Sequence, residues 1–135
     1  MSGGPGHKLV LHGQIVKAMF HTRTDRGMRL IEHASRCIRR GELHELVTTD
    51  QPGLGPGDRV DRVGFLGFME ALGPGVIERG DRFCVAGHPV GTVIGFDDCH
   101  YPNHYNVLIA TATLLTSHDW LAFGSGTAVQ FEGTD

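Results

Sequence analysis

No run of apolar residues in this chain approaches the roughly 18 that a membrane-spanning helix needs. The opening residues, Met1 to His7, carry no apolar stretch of the secretory kind. The expectation is a cytoplasmic protein. Cysteine is scarce: Cys37, Cys84 and Cys99 are odd in number and irregularly spaced. A disulfide framework and a paired-cysteine zinc or redox motif are thereby excluded. There is no excess of positive charge either. Twelve basic against 15 acidic side chains give a formal charge of −3, so no chain-wide footprint for nucleic acid or an anionic membrane exists. No glycine fingerprint leads from a strand into a helix, and no phosphate loop or serine elbow is present. Dinucleotide, ATP and serine-hydrolase chemistry therefore lack support.

What is abundant is glycine. Twenty glycines and six prolines in 135 residues fall mostly between short apolar runs, the punctuation of tight turns and bulges. The length suits one domain, with residues 1–7 as a glycine-rich tail and 8–135 as the folded body. Strands are expected over Lys8 to Phe20, Leu43 to Thr49, Arg59 to Leu72 (bent at Gly64 and Gly67), Arg82 to Ala86, Val90 to Phe96, Asn106 to Thr111 and Thr127 to Phe131. A bulge is expected at Gly13, and a hairpin around Gly87 to Pro89. One helix is expected over Thr24 to Arg40: Thr24 as its cap, Leu30, Ile31, Ala34, Cys37 and Ile38 on one face, and Gly41 as its stop. The fold class is mainly β, α+β in composition. It reads as a small closed or nearly closed six-stranded barrel with one amphipathic helix near the N-terminus.

Residues 63–132 resemble the IIA component of the glucitol/sorbitol phosphotransferase system. The likeness is carried by the turn Leu72 to Gly75, by Glu78 to Asp81 ahead of a strand, by Val90 to Gly95, and by the glycine-then-strand close from Phe123 to Phe131. The resemblance implies a small six-stranded barrel. That family carries its phosphoryl group in a His-x-His segment before the first of these turns, and here Val63 to Phe68 contains no histidine. The whole chain also resembles an uncharacterised actinobacterial group of small proteins.

The densest chemistry lies between two expected strands. Asp97 to Asn106 brings together two carboxylates, a thiol, two imidazoles, two phenols and two amides. Three readings of this loop stay open. In one, His100 and His104 move a proton and Asp97 and Asp98 orient them, with no cofactor. Tyr101, Tyr105, Asn106 and His88 then hold the substrate. In another, Cys99, His100, His104 and His88 bind zinc. In the third, the loop is a solvated turn. A Cys99 nucleophile activated by its histidines is a further variant. His88 belongs to the set only if both turns open at one end of the sheet; otherwise Glu70 or His44 takes its place. Six of the ten arginines lie between 23 and 40, and Arg23 and Arg26 are candidates to clamp an anion.

The expected function is an accessory enzyme of small-molecule metabolism. It would carry out cofactor-independent acid/base chemistry of the isomerase, lyase or cyclase type in the barrel mouth. The alternatives are a non-catalytic sugar- or metabolite-binding barrel and a zinc-binding barrel. The expected partner is a small molecule, not nucleic acid or a membrane. A homodimer is the default oligomer because symmetric dimers are the commonest.

Overall fold

Valine, isoleucine, leucine and phenylalanine recur in this chain at intervals of two between glycine-rich turns, and the computed structural model turns those stretches into strands. It describes residues 8–119 and 126–134; the expected tail, 1–7, lies outside them. Twelve strands follow in order: β1 (Leu11–Ala18), β2 (Thr22–Arg23), β3 (Met28–Arg29), β4 (Ser35–Ile38), β5 (Leu43–Thr49), β6 (Arg59–Val60), β7 (Val63–Ala71), β8 (Gly75–Glu78), β9 (Arg82–Val85), β10 (His88–Asp97), β11 (Asn106–Ala110) and β12 (Ala128–Glu132). A 3₁₀ turn, Ser117–Asp119, lies between β11 and β12. Among the described residues no helix is long and apolar enough to cross a membrane.

Seven strands close a ring in the order β1, β12, β9, β10, β11, β5, β7 and back to β1. The ring has one strand more than the six expected. Every pairing in it is antiparallel except β11 with β5, which run parallel from Asn106 against Glu45 to Ala110 against Thr49. The β9–β10 hairpin turns on Ala86 and Gly87, with φ of 50° and 82°. Two left-handed residues match the twist of the flanking strands.

The core divides in two. Leu11, Ile15, Leu46, Leu66, Met69, Phe83, Phe96, Ile109, Val129 and Phe131 fill the ring's interior. Val47, Val63, Phe65 and Leu108, from β5, β7 and β11, form a second cluster with Met28, Leu30 and Val60 on the outer face. These three ring strands are covered on both sides. That is why β7 and β11 read as nearly continuous apolar runs, while β5 carries the buried polar residues His44, Glu45, Thr48 and Thr49.

That outer cover is made by the segment expected to be a helix, and this corrects the sequence reading. No helix forms over Thr24 to Arg40. Met28 and Leu30 are fully buried and Arg29 between them is exposed, which is strand alternation. Ala34 and Cys37, placed on the apolar helix face, are exposed, and Ile31 is only half-buried. Gly27, at φ +74°, breaks the first turn. The backbone finds partners outside itself: β3 pairs with β6, β4 with β8, and Ile31 N donates to Phe96 O at 2.9 Å. An exposed apolar face on the ring, needing cover, outweighed a weak local preference for helix.

Candidate functional site

The parallel pairing of β5 and β11 sets the site. It lays the start of β5 beside the start of β11, and so beneath the loop 98–105 that leads into β11. Glu45 N donates to Tyr105 O at 3.0 Å. The loop itself is two successive turns: Tyr101 N donates to Asp98 O and Asn103 N to His100 O, both at 2.9 Å. They stack the rings of His100 and His104 with centroids 5.0 Å apart. His104 Nε2 lies 3.3 Å from Glu45 Oε1, and its ring meets the edge of Phe68 at 4.9 Å. Glu45, His100 and His104 each offer one donor atom, and these three atoms all lie within 4.8 Å of one another.

The burial of these groups is graded. Glu45 is 5 % exposed, His104 is half-buried and His100 is open. The group is therefore open on the His100 side, with the Glu45 carboxylate innermost. Glu45 shares its strand face with Val47, and Asn106 shares its face with Leu108. Both of those apolar residues belong to the outer cluster. The site therefore sits on the outer side of the ring at its rim, under the covering segment, and not in the mouth.

The rest of the loop is scaffold. Asp97 is 3 % exposed. Its Oδ1 accepts from Cys99 N at 3.0 Å and Asn106 Nδ2 at 2.9 Å, and its Oδ2 accepts from Arg29 N at 2.8 Å. Burial alone would push its carboxyl up, but the hydrogen bonds from Cys99, Arg29 and Asn106 hold it below the usual range. Asp97 is thus a staple between the loop and the covering segment, with both oxygens already accepting hydrogen bonds from them. Asp98 is exposed. Neither is the carboxylate beside the histidine rings; that one is Glu45, 3.3 Å from His104 Nε2. Sequence reasoning missed Glu45 because it lies 55 positions before His100, joined to it only by the parallel pairing.

The other expected members divide clearly. Arg26 is brought in: its Nη2 donates to His100 Nε2 at 3.0 Å and to Cys99 Sγ at 3.6 Å. Since arginine can only donate, His100 carries its proton on Nδ1. Arg23 is exposed and paired with Asp25 at 3.3 Å, away from the cluster. His88 starts β10 while the loop follows its end at Asp97. Nine residues at about 3.3 Å each separate them by on the order of 30 Å, so His88 is not part of the site. Tyr101 is 63 % exposed. Tyr105 packs against Tyr101 at 5.3 Å and beneath the Arg36 guanidinium, 3.8 Å from its ring centre.

Cys99 is a poor nucleophile here. Burial, and then the Asp97 carboxylate beside it, push its thiol above the ordinary range. It lies outside the donor group with Glu45 and so does not match the expected zinc set. His44 comes next to the site but is already used. Its Nδ1 accepts from Tyr105 N at 3.2 Å, and its Nε2 donates to Glu42 Oε1 at 2.8 Å. Burial lowers its pKa, which suits that neutral tautomer. Glu70 points elsewhere, accepting from Gln14 Nε2 at 3.2 Å.

Cavities also lie away from this cluster. One of about 540 Å³ is lined by Gly80, Arg82, Pro89, Val90, Gly91, Thr92 and Thr134. One of about 390 Å³ is lined by Leu9, Val10, His12, Leu72, Gly73 and Pro74. Arg82 in the first is already paired with Glu132 at 3.2 Å, and the second is apolar but for His12. Neither of these brings titratable groups together; a further cavity, of about 170 Å³, is lined by Glu78, Arg79 and Asp81, where Lys8 Nζ already pairs with both carboxylates.

A model of a family of unknown function (DUF6917) matches residues 5–132, and the chain belongs to that family. No curated protein and no solved structure matches it.

Proposed function

For this member of a family of unknown function, we propose a mononuclear divalent-metal centre formed by Glu45, His100 and His104, in which His100 Nε2 turns its lone pair from the Arg26 guanidinium to the ion and frees that guanidinium. It would support non-redox acid/base chemistry, of the lyase or isomerase class, on a small organic substrate. The observation that carries this reading is the meeting of one carboxylate and two imidazoles within 4.8 Å at a graded, one-sided opening. A nearly buried carboxylate needs a counter-charge. Two imidazoles and one carboxylate are the protein ligands of catalytic zinc and of non-haem iron, and they leave coordination positions open. His104 Nε2 and Glu45 Oε1, at 3.3 Å, already have the separation that two ligands of one ion at about 2.0–2.2 Å require. An ion of this class supplies a Lewis acid for a substrate oxygen and a water acidified toward neutral pH. The chain's own part is to exclude water with Phe68, to fix His104 through Asn103 Oδ1 at 2.7 Å, and to hold the loop in place through Asp97.

A second reading rests on the same 3.3 Å pair. Without metal, Glu45 would orient and charge-stabilise His104 as a general acid/base. Metal binding separates the two. Zinc added at about 100 times its Kd should stabilise the wild type by about 2.7 kcal/mol, read as a rise of several degrees in melting temperature. Glu45→Gln and His104→Ala should lose that rise, while Asp98→Asn keeps it. No rise in the wild type, or an equal rise in Glu45→Gln, overturns the metal reading.

A further inference from the structure

We propose that the ligand of this site is a small organic anion, a carboxylic acid with a neighbouring oxygen, and that Arg26 is the group that recognises its carboxylate. The proposal rests on the reading of Glu45, His100 and His104 as the reacting centre and adds the substrate class to it.

The first observation is how the other arginines are occupied. Arg23, Arg36, Arg59, Arg62 and Arg82 each lie within 4 Å of a carboxylate, Arg29 and Arg79 donate to backbone carbonyls, and Arg39 and Arg40 are exposed residues of the turn between β4 and β5. Arg26 is half-buried, yet among the described residues its side chain donates only to His100 Nε2 and Cys99 Sγ. Both acceptors are neutral. A guanidinium has five N–H groups in a planar fork that matches a carboxylate with two parallel bonds. Here at least three of the five have no described acceptor.

The second observation is that Arg26 is held in place. Its backbone N donates to Asp61 O at 3.1 Å, the next residue's N donates to Asp61 Oδ1 at 3.0 Å, and Arg29 N donates to Asp97 Oδ2 at 2.8 Å. The same carboxylate that shapes the histidine loop therefore anchors the segment carrying Arg26. A guanidinium set beside the reacting groups on a fixed backbone loses little freedom when it binds.

Charge gives the third argument. A divalent ion with Glu45 leaves one positive charge in excess, and Arg26 adds a second. A carboxylate on Arg26 with a neighbouring oxygen turned toward His100 and His104 offsets that excess and places the bond to be rearranged beside the acid/base groups. A neutral sugar would leave both charges unanswered.

Lactate, a 2-hydroxy carboxylate, and its neutral amide, lactamide, are suitable probes. Each is titrated into zinc-loaded and zinc-free protein while the arginine Nε–H resonances are followed by NMR and the zinc content by native mass spectrometry. Lactate should bind and shift the Arg26 signal, and lactamide should not. Arg26→Met should weaken lactate at least about tenfold with zinc content and melting temperature unchanged, whereas Arg23→Gln should bind lactate like the wild type. Equal lactate binding by Arg26→Met, equal binding of lactamide, or no binding of lactate to the wild type overturns the proposal. If zinc fails to bind but lactate still shifts Arg26, the anion assignment stands and the metal reading alone falls.

Discussion

Asp97 and Asp98 are neighbours of one residue type with different work to do. Asp97 accepts three hydrogen bonds while buried, so Asp97→Ala strands the Cys99 and Arg29 backbone N–H groups and the Asn106 amide. At about 1–3 kcal/mol for a buried donor left unpaired, the loss should reach about 3 kcal/mol or more in urea unfolding. Asp98→Ala, on an exposed residue, should stay within about 0.5 kcal/mol. Equal effects would contradict the division of roles. The depressed Asp97 carboxyl also sets a pH dependence. Its folded pKa lies below its unfolded value of about 3.9, so the folded state binds fewer protons in that window. Its stabilisation is complete above about pH 5 and is lost as pH falls through the folded pKa. Urea midpoints for Asp97→Asn should therefore fall less steeply below about pH 5 than those of the wild type. The sequence makes this loop conspicuous, since a plain turn needs no histidines, tyrosines or cysteine. Which carboxylate would face the histidines was not legible, because strand alternation sends Asp97 toward the covering segment and leaves Asp98 in solvent.

At the scale of elements, the strands were legible wherever turn chemistry bounded them. Leu43–Thr49 forms as expected, whereas the hairpin turn expected at Gly87 to Pro89 falls at Ala86 and Gly87, with His88 and Pro89 already in β10. The bulge expected at Gly13 lies instead between Ile15 and Lys17. Gly13 is needed for packing against Met69, Glu70 and Val129. At Gly64 and Gly67, expected as bends, the structure shows glycines that other backbone approaches closely. A Cβ on Gly67 would collide with Lys17 O, and Gly67 holds φ at +137°; a Cβ on Gly64 would collide with Leu115 O. Gly67→Ala adds backbone strain of about 1–3 kcal/mol to a steric clash of similar size. It should therefore destabilise by about 3 kcal/mol or more in urea unfolding, and a change under about 1 kcal/mol would contradict the close β1–β7 approach. The helix over Thr24 to Arg40 was misread because its apolar residues fit both periods: Leu30, Ile31 and Ile38 suit a helical stripe, and Met28 and Leu30 suit a strand. Only the bare outer face of β5, β7 and β11 decides between them, and that face exists only once the ring has formed. Far-UV circular dichroism should accordingly show a β spectrum with no helical double minimum.

For the whole molecule, the decisive event is ring closure. Strands from both halves of the chain meet where β11 runs parallel to β5, and this one pairing carries Glu45 to His104 across 59 positions. Reading the turns in succession predicts neighbours for each strand but not the pairing that closes the ring, so Glu45 could not be named beforehand. The account's central claim is that closure assembles a carboxylate and two imidazoles into one cation site. Zinc-edge X-ray absorption on protein loaded with one equivalent of zinc tests it most directly. The account predicts a first shell of nitrogen and oxygen at about 2.0–2.2 Å with imidazole scattering from two histidines. The spectrum should change on Glu45→Gln and on His104→Ala, but not on Cys99→Ser. A sulfur neighbour at about 2.3 Å, or a zinc shell indifferent to Glu45 and His104, would contradict it.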